Sequence, residues 1–198
     1  MAGFTVVGEG VYKAKTVDQS VSVSPGDRSL VKFLEDVARR YQRNEGRRPG
    51  YLDANVARLS QMFNAPIDSR RLFAFSTIGG ALQETITYGD TSGLYATYGT
   101  APVPLGEFVS AGVGKCRELS ILSHVALAAL GTETDIVSGF KDNEGLIIGR
   151  HTWLETTQIA QGVRVALEST DPIGVGVVEE GVYLKHLGDA FQKLVRPA

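Results

Sequence analysis

The chain of 198 residues has one cysteine, one tryptophan, two methionines and three histidines. A single cysteine excludes an intrachain disulfide and any cysteine-cluster metal site, which suits a reducing compartment. The histidines, His124, His151 and His186, lack metal-ligand spacing, and Gly8-Glu9-Gly10 lacks the third glycine and the helix of a dinucleotide loop. No metal and no cofactor are expected. Long apolar runs are missing as well: nothing approaches the roughly 18 residues of a membrane span. The opening MAGFTVVGEGVYKAK has no basic segment followed by a long apolar one, so it does not read as a secretory signal. A cytoplasmic location without a membrane partner is the expectation. An excess of charge of one sign is also absent, with 20 basic against 22 acidic side chains and a net charge of −2. The pairs Arg39-Arg40, Arg47-Arg48 and Arg70-Arg71 are scattered among acids, which excludes the basic stripe that a nucleic-acid backbone requires.

The apolar fraction of 43% and charged fraction of 21% are those of a soluble globular chain long enough for one substantial core. A single domain over 1–198 is expected. Within it, 1–27 reads as an extended arm or weak β ribbon, because short alternating patterns at Phe4, Val6, Val21 and Val23 are broken by glycine and by Ser24-Pro25-Gly26. Residues 28–104 read as a helical flank and loop. Leu30, Phe33, Leu34, Val37 and Tyr41 recur at helical spacing, and a second helix is predicted from about Asp53 to Phe63. Residues 70–83 are ambiguous. Residues 88–104, rich in glycine, threonine and tyrosine and without periodicity, are predicted to be a long surface loop, with Tyr88, Tyr95 and Tyr98 as packing residues.

Residues 105–175 are predicted to form the core that carries the chemistry, and 176–198 a closing segment of mixed strand and helix. Leu105 to Ser110 reads as a short helix. Cys116 to about Leu130 reads as a dense, central helix closed by Gly131. Strands are predicted over Asp135–Phe140, Gly149–Thr157 and Gly162–Thr170, with 141–145 as the turn between the first two. Helices followed by an antiparallel sheet make an α+β layout.

The lone cysteine stands in Gly114-Lys115-Cys116-Arg117-Glu118-Leu119-Ser120, at the start of the predicted central helix. There the free backbone N–H groups and the helix dipole favour an anion, which lowers a thiol pKa and supplies thiolate. Gly112 and Gly114 let the backbone approach closely beside the sulfur, and the Cys116 N–H could meet a developing oxyanion. For a base, His124 lies eight residues along the same helix, about 12 Å away at ~1.5 Å per residue. His186 has no partner motif. His151 heads Arg150-His151-Thr152-Trp153-Leu154-Glu155, where strand alternation puts His151, Trp153 and Glu155 on one face and lets Trp153 screen the pair from water. Glu168 or Asp171, at the end of the third strand, would orient the imidazole. Glu155 suits strand shaping better than contact with the ring.

Gly-x-Gly-x-Cys-x-x-x-Ser opening a helix, His-x-Trp-x-Glu on a strand and an apolar strand ending in an acid resemble the transglutaminase-like cysteine superfamily, whose core is papain-like. The order Cys, His, acid and the intervals of 35 and then 17 to 20 residues are similar to that family's compact core. The resemblance spans roughly residues 105 to 175. It implies Cys116 as nucleophile, His151 as base and acid, and a strand carboxylate as the third member. The family usually has Asp followed shortly by Thr, a register that places Glu168 before Ser169-Thr170 and leaves Asp171 as the alternative. The implied reaction is acyl transfer on amide bonds through a thioester, most simply as a peptidase, amidase or glutamine deamidase. A transglutaminase-type acyltransferase and an inactive peptide-binding module are the alternatives. The expected partner is a peptide, protein or small amide substrate, and the oligomeric state is left open.

Overall fold

The computed structural model describes residues 9–13, 19–45, 50–143, 146–170, 174–177, 183–190 and 192–194. In chain order these form β1 (Gly10–Lys13), β2 (Ser20–Val23), α1 (Arg28–Glu45), α2 (Gly50–Phe63), α3 (Ser69–Thr85) and β3 (Thr87–Tyr88). Next come α4 (Ser92–Tyr98), β4 (Val103–Pro104), α5 (Leu105–Ala111), β5 (Val113–Gly114) and α6 (Cys116–Ala129). The remainder is strand: β6 (Asp135–Asn143), β7 (Leu146–Ala160), β8 (Val163–Glu168), β9 (Gly174–Val177), β10 (Tyr183–Ala190) and β11 (Gln192–Leu194). The architecture is mixed α+β.

The largest sheet has the order β10-β6-β7-β8-β9 with every neighbouring pair antiparallel. Helix α6 packs between β7 and α3, and α1 lies beyond α3. Apolar side chains of three helices meet in this core: Leu30, Leu34 and Val37 of α1, Phe73, Ile78 and Leu82 of α3, and Ile121, Leu122 and Val125 of α6. Leu154, Val165 and Leu167 close it from the sheet. Alternation along β7 and β8 sends Trp153 and Ala166 to the opposite face, where they form a second small buried cluster with Val137.

Helix starts follow local chemistry. Asp68 caps α3 by accepting from the N–H groups of Arg70 and Arg71, each at 3.0 Å. Asp27 accepts from Leu30 N at 3.1 Å and, with its other oxygen, from Gly106 N at 2.7 Å, joining the starts of α1 and α5. A Cβ at Gly106 would lie 1.9 Å from that carboxylate, so only glycine admits the contact.

The structure refines four readings. Of the two readings of the N-terminal segment the structure shows the β ribbon and not the arm: β1 and β2 pair antiparallel, they belong to a second sheet, β11-β1-β2-β4, and Tyr12, Val21 and Val23 are buried. The ambiguous stretch at 70–83 lies within α3, which buries Leu72, Phe73, Ala74 and Phe75 in succession and so shows no single apolar stripe. Residues 88–104 are not a structureless loop. They contain α4 and β4, and Tyr88 pairs with Gly114 in a parallel two-stranded ladder. The described residues of the closing segment are strands, without the helix expected there. Among the described residues no helix is long and apolar enough to cross a membrane.

Candidate active site

The site lies where β8 stops. The β7–β8 ladder runs to the pair Leu154–Leu167, and β8 ends at Glu168. Among the described residues β7 therefore has no strand neighbour on that side at Thr152, and its backbone turns to α6 instead. The Thr152 carbonyl accepts from Ser120 Oγ at 3.0 Å, and the Thr152 N–H donates to the Cys116 sulfur. This stitching sets the first turn of α6 against the residue next to His151.

Cys116, partly buried, is hydrogen-bonded to His151. The other side of the imidazole is taken by Glu168, with Nε2 and Oε2 2.5 Å apart, which leaves Nδ1 for the thiol. The remaining oxygen of Glu168 accepts from Thr170 N at 3.0 Å and from the Thr170 hydroxyl. Burial pushes the Cys116 thiol up, but the hydrogen bond and positive charge of His151, with the Thr152 N–H, outweigh it and hold the thiol below its ordinary range. Burial would push the His151 imidazole down. Its bonds to Cys116 and Glu168 reverse that and raise it to about 9. Burial also opposes ionisation of Glu168, yet His151 and Thr170 keep its carboxyl below the usual range. All three directions favour a thiolate, an imidazolium and a carboxylate in a row.

Trp153 is fully buried and stacked on His151, with ring centroids 6.2 Å apart and planes 17° from parallel. Gly114 is buried under the same helix start. A Cβ there would meet Ile86 Cγ2 at 3.3 Å, with Glu118 and Leu119 beyond, so the glycine lets β5 pack on α6 from within. Gly112 caps α5 at φ 64°, a left-handed turn that glycine adopts without strain. Asp171 lies outside the described residues, as does the His186 side chain. His124 is bonded through Nδ1 to Thr134 Oγ1 at 2.8 Å, with its ring edge-on to Tyr12.

No family model and no curated protein matches the chain. Among solved structures, a candidate protease from Parabacteroides distasonis ATCC 8503 is similar at 10% identity and a TM-score of 0.34, over 79% of this chain. The chain spans 31% of that protein. The chemistry therefore rests on the site's own groups.

Two of those groups are not legible in the sequence. Tyr88, 58% exposed, places its hydroxyl on Cys116, donating to the sulfur and accepting from the Cys116 backbone N–H. Its placement depends on the β3–β5 ladder and on Gly89 N donating to Gly114 O at 3.1 Å. Asp90, two residues further, pairs with Lys115 Nζ at 2.9 Å. The second is Glu118, fully buried one turn below the sulfur. It accepts from Lys115 N at 2.9 Å, from the Tyr95 hydroxyl at 2.6 Å and from Arg117 Nε at 2.8 Å. The Arg117 guanidinium lies over the Tyr95 ring, 4.7 Å from its centroid. Through Tyr95, the segment expected to be a free loop is fastened beneath the cysteine. Among the described residues no three His, Cys, Asp or Glu side chains gather so as to hold a metal ion.

Proposed function

We propose that the protein is a cysteine-dependent acyl-transfer enzyme with a transglutaminase-like core over about residues 105–175, cleaving amide bonds by hydrolysis. The observation that carries the reading is the hydrogen-bonded row Cys116–His151–Glu168, drawn from a helix start and two strands. The thiolate attacks an amide carbonyl carbon, forming a C–S bond and moving the carbonyl π electrons to oxygen. His151 then gives its Nδ1 proton to the leaving nitrogen, the C–N bond breaks, and an amine or ammonia departs. A water molecule loses a proton to His151 and attacks the thioester, which restores the thiolate and imidazolium and releases a carboxylic acid. Glu168 keeps Nε2 as a donor and stabilises the imidazolium, with Thr170 holding the carboxylate in place.

The Cys116 N–H and the Tyr88 hydroxyl are the donors for the oxyanion, because both converge beside the sulfur. In the resting site they bond each other, so an arriving carbonyl oxygen replaces the Tyr88 oxygen as acceptor of the N–H. Trp153 shields the imidazole from water. The substrate is a peptide, protein or small amide held in one domain without nucleic acid or membrane, in the cytoplasm. The test is a screen of peptides and glutamine amides for released amine or ammonia, with intact-mass detection of an acyl adduct on Cys116. Turnover and adduct should both vanish in Cys116→Ala, and turnover that persists there would overturn the reading.

A further inference from the structure

Glu155 is fully buried, and one of its partners, Arg164, lies partly in solvent. Glu155 Oε2 accepts from Arg164 Nη1 at 2.9 Å, and Arg164 is 49% exposed and also lies 3.6 Å from Asp135. Withdrawing a carboxylate from water is costly, and a surface ion pair with Arg164 would not require it. Burial does bring Glu155 within reach of the Trp153 indole, whose Nε1–H donates to Oε1 at 3.1 Å. The Trp153 ring in turn covers the His151 imidazole at 6.2 Å. His151 has to aim two nitrogens at once, Nε2 at Glu168 and the other at Cys116, and rotation of its ring breaks both bonds.

The geometry points to Glu155 as a positioning residue: by holding the Trp153 indole it fixes the surface on which His151 stacks, and so keeps the imidazole aimed at Cys116 and Glu168. Arg164 supplies the counter-charge that makes the buried carboxylate tolerable. The inference rests on the reading of Cys116 and His151 as the reacting pair. Among the described residues the charged groups acting on His151 are Cys116 from α6 and Glu168 from β8, while Glu155, Arg164 and Asp135 act through the indole side.

Trp153 is the only tryptophan in the chain, so all tryptophan fluorescence arises from this site. A protonated imidazole quenches a stacked indole, and emission should rise with pH as His151 loses its proton. That transition should disappear in His151→Asn. Glu155→Leu removes the acceptor. It should lower the midpoint of the fluorescence transition and raise the midpoint of iodoacetamide alkylation of Cys116 by about one pH unit, which slows alkylation about tenfold at pH values below the wild-type midpoint. Glu155→Gln keeps an acceptor oxygen and should restore most of both. If Glu155→Leu does not fold, Trp153→Phe provides the second arm. It keeps an aromatic ring and deletes the N–H, so it should slow alkylation similarly, and adding Glu155→Gln to it should change nothing more. Wild-type midpoint and alkylation rate in Glu155→Leu, with a wild-type alkylation rate in Trp153→Phe, would overturn this inference alone. A wild-type thiol that reacts like free cysteine, unaffected by His151→Asn, would instead overturn the reading of the reacting pair.

Discussion

Glu168 Oε2 lies 2.5 Å from His151 Nε2, while its other oxygen is held by Thr170. The carboxylate is thus fixed on one side by its own strand end and on the other by the imidazole it orients. A longer acid at this register reaches the ring because β8 stops at Glu168, which leaves the side chain free to cross toward β7.

Replacing Glu168 by Gln should lower kcat about 10²-fold or more with KM nearly unchanged, since the amide stabilises no imidazolium. Steady-state kinetics on any amide substrate found by the screen would measure this. An unchanged kcat would remove Glu168 from the mechanism and direct attention to Asp171.

The same pair should make stability depend on pH in a definite direction. The His151 pKa is raised to about 9, so its contribution is complete below its ordinary value of 6.5 and is lost as pH rises through about 9. The Glu168 pKa is lowered, so its contribution is present above its ordinary 4.5 and is lost as pH falls. Thermal melts of wild type and Glu168→Gln should therefore differ most between pH 4.5 and 6.5. The gap there should be about 1–3 kcal/mol, as for a lost hydrogen bond to a charged group, and it should narrow on either side. A gap independent of pH would contradict the charge assignment.

Tyr88→Phe should lower kcat about 10²-fold, the usual cost of deleting one oxyanion donor, and leave KM close to wild type. The residue is exposed enough that circular dichroism and the melting temperature should scarcely move. A large fall in stability with normal kcat would mean that the phenol packs the β3 segment and takes no part in the reaction.

Much of this is legible in the sequence, and the rest is not, for identifiable reasons. Leu30, Phe33, Leu34 and Val37 announce α1 because one face of that helix is buried and the other wet. The cysteine and the histidine can be named, and the acid narrowed to Glu168 or Asp171, because each stands in or beside an element whose pattern the sequence shows. Tyr88 cannot, since it owes its position to parallel pairing with Gly114, far along the chain, which leaves no local signature. Tyr95 and Glu118 are hidden similarly: a tyrosine in a glycine-rich stretch and a glutamate in a helix look solvated until their side chains meet. Glu155 reads in the sequence as a residue that shapes its strand, and its bond to the Trp153 indole depends on the fold that buries both.

The most direct test of the central claim is the rate of Cys116 alkylation by iodoacetamide as a function of pH, in wild type and in His151→Asn. An imidazolium-paired thiolate should react fast well below pH 8 in wild type, and His151→Asn should move the midpoint up to the ordinary thiol value of about 8.5. A wild-type midpoint near 8.5, unmoved by loss of His151, would contradict the account.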